Sequence, residues 1–201
     1  MLDTWISKKY RSPDKYTQLF AKNTPYEHII LPNFFSSAKL KLVASALKQQ
    51  PFAEKNSDLF QFSQSGDLKT TRNKVLNDFY KFLSSKEFIS YVATLTSTKL
   101  SKKIDCSCFV YQSTDYLLPH DDRLEGRKIA YVVNLSSLKE KDGGSLDLFD
   151  SRNNQPHTIV KSYAPTFNSL VLFRVTPLSF HQVAEILTDS KRFTVTGWFH
   201  G

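Results

Sequence analysis

The chain has 201 residues, 40% hydrophobic, 13% aromatic and 23% charged, with a formal net charge of +8. That length suffices for one domain with a proper core and is short for two, and the aromatic share argues against disorder. No apolar run approaches the roughly 18–20 residues of a membrane span, and MLDTWISKKYRSPDKY has no apolar segment behind a basic start, so neither a membrane anchor nor a secretory leader is expected.

Residues 1–24 mix polar and apolar side chains around Pro13 and predict an N-terminal arm or helix. Tyr26–Leu31 has strand character, and Pro32-Asn33 turns the chain. Ser36 or Ser37 is placed to cap a helix running to about Gln50, with Leu40, Val43, Ala46 and Leu47 on one face. Pro51 ends it. Asp58–Ser63 alternates as a short strand, and SQSGDLKTTRN after it reads as a polar loop around Gly66. Lys74–Leu83 is a second amphipathic helix with Val75, Leu76, Phe79, Phe82 and Leu83 as its apolar stripe. Ser84-Ser85 breaks it, and a third helix follows over Lys86–Leu95. These stripes are expected to cover one side of a sheet.

From about Lys102 the period changes from 3.6 to 2. Candidate strands are Ile104–Tyr111, Leu117–Asp121, Lys128–Leu135, Ser145–Phe149, Thr158–Tyr163, Ser169–Val175, His181–Ile186 and Phe193–Trp198, separated by EGR, KDGGS, SRNNQP, APTFN, VTPLS and TDSK. Many short strands with few helices between them argue for a sandwich or jelly roll rather than a βαβ sheet. The expected fold is mainly β (α+β): a double-stranded β-helix of the jelly-roll or cupin kind, supported by a layer of N-terminal helices. One domain spans 1–201, with an arm over 1–24, helical support and first strands over 25–100, and the β core over 101–201.

Cys106 and Cys108 share one face of a strand, with Cα atoms about 6.5–7 Å apart, too far for an easy disulfide. No second pair completes a zinc site. Buried, reduced thiols fit a cytoplasmic protein, or a nuclear one in a eukaryote. The basic charge is dispersed over SKKYR, KLK, KTTRNK, SKK, RK and KEK. It suits partners in phosphate-rich complexes, but direct nucleic-acid binding is not required.

The chemistry centres on TDYLLPHDDRLEGRKIAYVVNL. His120 and Asp122 are two residues apart, and strand alternation would put both on one face. An imidazole and a carboxylate make two-thirds of a non-haem iron(II) site, which keeps open positions for oxygen chemistry. Asp121 points away. The third ligand must come from His28, His157, His181 or His200. His181 stands out, because Arg192 follows 11 residues later on RFTVTGWF. A hairpin of that length would put Arg192 deeper in the same cleft on the neighbouring strand. A metal with a guanidinium behind it can hold a dicarboxylate, one end on the metal and the other on the arginine. HxD alone is common by chance; HxD, a distant His and an Arg on period-2 strands is a specific pattern for iron and 2-oxoglutarate.

These residues resemble the Fe(II)/2-oxoglutarate dioxygenases. The segments DLFQFSQSGDLK, TDYLLPHDDRLEGRKIAYVVNL, GGSLDLF, VKSYAPTFNSLVLF, VTPLSFHQVAEI and RFTVTGWFHG are similar to the catalytic domain of the ribosomal prolyl 3-hydroxylases, over residues 25–201. The resemblance implies iron(II) held by His120, Asp122 and His181, with Arg192 on the far carboxylate of 2-oxoglutarate. It implies dioxygen as co-substrate, ascorbate as an optional addition, succinate and carbon dioxide as co-products, and a prolyl residue of a small-subunit ribosomal protein as target. Eukaryotic members carry a second, catalytically inert β-domain after GWFHG, outside the present sequence. The family places a co-substrate tyrosine where this chain has Asn134, whose amide is a candidate donor to the same carboxylate. Tyr131 faces the other side. Tyr111 matches a family tyrosine and is a further co-substrate candidate. Gln61–Lys69 resembles a segment at the active-site mouth, a candidate substrate lid. Two other readings stay open: an oxygenase for another protein, an amino acid or a nucleobase, and a metal-binding β-barrel interaction module. A nucleobase enzyme would want an aromatic clamp and a coherent basic groove, neither evident here. The intact triad with Arg192 argues against the non-enzyme.

Overall fold

The computed structural model describes residues 2–201. Five α-helices precede most of the sheet: α1 (Leu2–Trp5), α2 (Asp14–Lys22), α3 (Ser37–Leu47), α4 (Lys74–Leu83) and α5 (Lys86–Thr96). The strands are β1 (His28–Pro32), β2 (Ala53–Ser57), β3 (Phe60–Asp67), β4 (Ser107–Tyr111), β5 (Tyr116–His120), β6 (Arg127–Asn134), β7 (Leu146–Arg152), β8 (Gln155–Tyr163), β9 (Ser169–Arg174), β10 (His181–Val183) and β11 (Arg192–His200). The expected double-stranded β-helix with a helical layer is what the chain forms.

The antiparallel sheet runs β1-β9-β6-β11-β4-β3-β5-β10-β7-β8, with β2 on β3. It curls until its two limbs face each other. Ala130 and Val132 of β6 and Val171 and Phe173 of β9 pack on Leu146 and Leu148 of β7 from the other limb. Strand alternation sends the neighbouring residues the opposite way. Ile129, Tyr131 and Val133, Leu170 and Leu172, and Val195 and Phe199 join the helices in a second core. Trp5, Phe79, Phe82 and Phe88 stack there, with Phe82 at 5.2 Å from Trp5 and 4.7 Å from Phe88.

α4 starts where Asn73 Oδ1 accepts from the amides of Val75 and Leu76, and α5 where Ser85 Oγ accepts from Phe88 N. Each bond satisfies an orphan donor of the first turn. Ser36 occupies the N-cap of α3 without a side-chain bond, and that helix ends at Leu47, short of Gln50.

The sequence reading of residues 53–67 needs correction. β2 was not expected, and the polar stretch after Ser63 continues as β3 to Asp67 before a 3-10 turn over Leu68–Thr70. All five residues of β2 are exposed, so no apolar alternation marks it. Backbone pairing from Ala53↔Gln64 to Ser57↔Phe60 makes the strand. Asp58 and Leu59 form the turn between the strands.

Candidate active site

His120 and His181 lie directly opposite each other where β5 pairs with β10. Their ring centroids are 4.2 Å apart. Asp122 completes the group: Oδ1 is 3.3 Å from His120 Nε2, and Oδ2 is 3.3 Å from His181 Nε2. The ligand atoms of the three all lie within 4.8 Å of one another. The three residues expected to meet do meet, but not by strand alternation. β5 ends at His120, so Asp122 is not on the strand face. It adopts φ 62°, a left-handed conformation that an aspartate tolerates better than most residues. That turn swings its carboxylate back between the imidazoles.

Each imidazole is fixed from behind. His120 Nδ1 is 2.9 Å from the Leu118 carbonyl, and His181 Nδ1 is 2.8 Å from the Ser179 carbonyl. A carbonyl only accepts, so Nδ1 carries the proton and Nε2 turns its lone pair to the centre. Burial opposes charge on His120, but the Asp122 carboxylate more than compensates and raises its pKa. Burial opposes charge on Asp122 too, yet His181 and His120 hold its carboxyl well below the usual carboxylate range. Two neutral nitrogens and one ionised carboxylate fit an iron(II) ion that keeps positions open.

Arg192 lines the same cavity of about 450 Å³ as the three ligands. It does not arrive by a hairpin from His181. β10 pairs β5 and β7, whereas β11 pairs β4 and β6, so Arg192 approaches from the opposite limb. Only 3% of Arg192 is exposed, and burial lowers its pKa. Among the described residues it makes no ion pair or hydrogen bond, and Nε is buried without a partner. A buried unpaired guanidinium is costly. The site fits a ligand carboxylate.

Tyr111 faces Arg192 in the strand register, and the guanidinium lies 5.2 Å from its ring centroid. Tyr111 therefore supports the arginine from within the cavity. Asn134 lines a second chamber that Arg192 also lines, not the cavity of His120, Asp122 and His181. Tyr131 faces the helical side, its hydroxyl donating to the Asp105 carbonyl at 2.9 Å. The remaining histidines stay apart. His28 bonds Tyr163, His200 bonds Asp105, and His157 sits beside Asp150. Asp121 pairs with Arg123 at 2.7 Å. Cys106 and Cys108 are buried free thiols, and burial pushes Cys108 up to about 12. The segment from Gln61 is a paired strand rather than a free lid, although Phe60, Phe62 and Gln64 line the cavity.

Sequence reasoning missed Arg127 and Trp198, which line the cavity beside His120, Asp122 and His181. The Arg127 guanidinium lies 3.4 Å from the Trp198 ring centroid, and Nη1 donates to the Asp122 carbonyl at 3.3 Å. An Arg in a turn and a Trp on a strand carry no motif. Only the i to i+5 proximity of Asp122 and Arg127 hinted at it.

The site and fold define a class. Residues 106–200 match the family model described as the 2OG-Fe(II) oxygenase superfamily. That description names iron(II) and 2-oxoglutarate, and the His-Asp-His cluster fits the metal. More particularly, it is similar to Prolyl 3-hydroxylase OGFOD1 of Xenopus laevis, 43% identical over 183 residues covering 89% of this chain and 36% of that protein. It is also similar to Prolyl 3,4-dihydroxylase OGFOD1 of Ostreococcus tauri, 35% identical over 195 residues covering 88% of this chain and 38% of that protein. The chain thus spans little more than a third of the length of these relatives. A prolyl hydroxylase from Trichoplax adhaerens, solved with a hypoxia inducible factor peptide fragment, shares the fold at a TM-score of 0.76 and 16% identity, covering 100% of this chain and 96% of that one.

Proposed function

We propose that this chain hydroxylates a prolyl residue of a small-subunit ribosomal protein, with iron(II) held by Nε2 of His120 and His181 and the Asp122 carboxylate. One observation carries the reading: a His-Asp-His cluster and a buried guanidinium without a counter-ion lie in one cavity. Iron(II) bound there supplies the oxidation, coupling dioxygen and the decarboxylation of 2-oxoglutarate to hydroxylation of the substrate.

The protein does the rest by placement. Arg192 would take the far carboxylate of 2-oxoglutarate and neutralise its charge. The carbonyl bonds to both imidazoles keep their Nε2 lone pairs on the metal side. Phe60, Phe62, Phe109 and Leu117 form an apolar wall that excludes water and suits a pyrrolidine ring. Leu59 and Leu118 are 62% and 41% exposed at the mouth, an apolar rim for an extended peptide. The ribosomal target is supported by the similarity of the segments around the HDD run to ribosomal prolyl hydroxylases. The names of the relatives support prolyl chemistry. The charge of +8 suits a substrate bound for RNA, and the cytoplasm, or the nucleus in a eukaryote, is where it would be met.

The test is succinate release from 2-oxoglutarate with peptides covering small-subunit ribosomal proteins, followed by mass analysis of the peptide. Stimulated turnover and a gain of one or two oxygen atoms on a single proline are expected. Turnover stimulated only by an amino acid or a nucleoside would replace the substrate class. No iron-dependent turnover under any condition would leave only the non-enzymatic metal-binding module.

A further inference from the structure

Arg192 stands between two cavities. The one in front holds the metal ligands. Beyond lies a chamber of about 240 Å³ that shares Val132, Leu146 and Arg192 with it. The chamber reaches exposed residues at Pro32, Ser162 and Thr166, so it is not sealed from solvent.

Asn134 is 5% exposed and lines this chamber. Its amide orientation follows from its neighbours. Ser169 Oγ donates to the Thr166 carbonyl at 2.8 Å, so the same hydroxyl accepts from Asn134 Nδ2 at 2.8 Å. Asn134 Oδ1 is left buried without a partner, as is Arg192 Nε. Tyr163, also on the wall, has its proton committed. His28 Nδ1 bonds the Tyr26 carbonyl and is protonated, so Nε2 accepts from the Tyr163 hydroxyl at 2.9 Å. The β6 residues on the chamber wall are Val132 and Asn134, neither of them aromatic, and among the described residues Arg192 is the one cation on that wall. Ile30, Val132 and Val171 supply apolar surface beside it.

We propose that the co-substrate pocket continues past Arg192 into this chamber. The chain then binds linear 2-oxo diacids longer than 2-oxoglutarate by one or two methylenes, and Asn134 is the specificity-determining residue that leaves the passage open. The added methylenes lie against Ile30, Val132 and Val171, and the far carboxylate keeps to Arg192 and the remaining amide N–H of Asn134. The inference rests on Arg192 anchoring the co-substrate.

The experiment is calorimetric titration of the manganese(II)-loaded protein without dioxygen, using 2-oxoglutarate, 2-oxoadipate and 2-oxopimelate. In the parent chain 2-oxoadipate should bind within about tenfold of 2-oxoglutarate. Asn134→Phe fills the passage and should raise the ratio of the two dissociation constants at least about tenfold. Ile30→Phe fills it from a second wall and should raise the same ratio, so the result does not hang on one variant folding. If 2-oxoglutarate binds but 2-oxoadipate is excluded by more than about a hundredfold in the parent chain, or neither variant moves the ratio, the proposal is overturned while the oxygenase reading stands. If 2-oxoglutarate itself does not bind, the assignment of Arg192 falls and takes this inference with it.

Discussion

Strands β6, β9 and β11 have two faces that do opposite work. The face toward the helices carries Ile129, Tyr131, Val133, Leu170, Leu172, Val195 and Phe199, all 1% exposed or less, and the polar tip among these, the Tyr131 hydroxyl, is bonded. The face toward the barrel interior carries Asn134, Arg192 and Trp198, each with a buried polar atom that has no partner. Buried polar groups are normally satisfied. Three unpartnered atoms lie on one face of the sheet and the polar tip on the other is bonded, which sets ligand binding apart from stability across its thickness; the remaining one among the described residues is the Tyr91 hydroxyl, on α5 rather than on the sheet. If that division holds, substitutions on the two faces will fail in different assays.

The largest effect belongs to Asp122, on the interior side. Asp122→Ala should remove metal binding and lower turnover by more than about a thousandfold, with far-UV circular dichroism unchanged. Loss of fold on metal removal would break the comparison, since it would make the interior structural. Metal affinity should also fall as pH is lowered. The Asp122 carboxylate raises the pKa of His120, so a proton competes for the nitrogen the metal needs. Competition titrations at several pH values would measure it.

On the helical face the order reverses. Phe82 is fully buried against Trp5 and Phe88. Phe82→Ala should cost about 3–5 kcal/mol of stability in denaturant titrations. The folded fraction should bind 2-oxoglutarate as before. A changed affinity at constant folded fraction would show that the two faces are coupled.

Arg192→Met sharpens the contrast further. It should raise the dissociation constant of 2-oxoglutarate by about 10–100-fold, through loss of a bidentate charge-assisted contact. Metal affinity should change by less than about twofold. The ligand-free protein should melt no lower, because the variant removes a buried cation whose side chain has no ion-pair or hydrogen-bond partner among the described residues. A drop in stability together with unchanged 2-oxoglutarate binding would make Arg192 a core residue.

The sequence made the helical face easy to read and the interior only partly so. The stripes Leu40-Val43-Ala46-Leu47 and Leu76-Phe79-Phe82-Leu83 follow one period and gave helices close to those observed. The candidate site residues were legible because His, Asp and Arg are rare in apolar strands. How they meet was not. Asp122 relies on a left-handed turn that no periodicity encodes, and Arg192 crosses from the opposite limb, a matter of sheet order rather than spacing. β2 has no apolar face and exists through backbone pairing alone. Arg127 reads as a turn residue until Trp198 is placed beneath it.

Arg127 offers the smallest effect and the finest test of the division, because its one hydrogen bond to the candidate metal site goes to a backbone carbonyl. Its guanidinium is sandwiched by function: Trp198 beneath it at 3.4 Å, the Asp122 carbonyl at 3.3 Å, and Asp105 at 3.9 Å from Nε. Asp105 is itself held by His200 Nε2 at 2.9 Å. This bracket steadies the residue whose φ of 62° aims the carboxylate. Lysine keeps the charge but loses the planar fork that stacks and bonds at once. Arg127→Lys should weaken metal binding by about tenfold, the scale of a lost supporting contact behind a ligand, with little change in melting temperature. Manganese(II) titration followed by electron paramagnetic resonance gives the affinity, and Trp198 fluorescence reports whether the stack is lost. If the stack is lost and metal affinity stays, Asp122 holds its turn unaided and the bracket serves substrate binding instead.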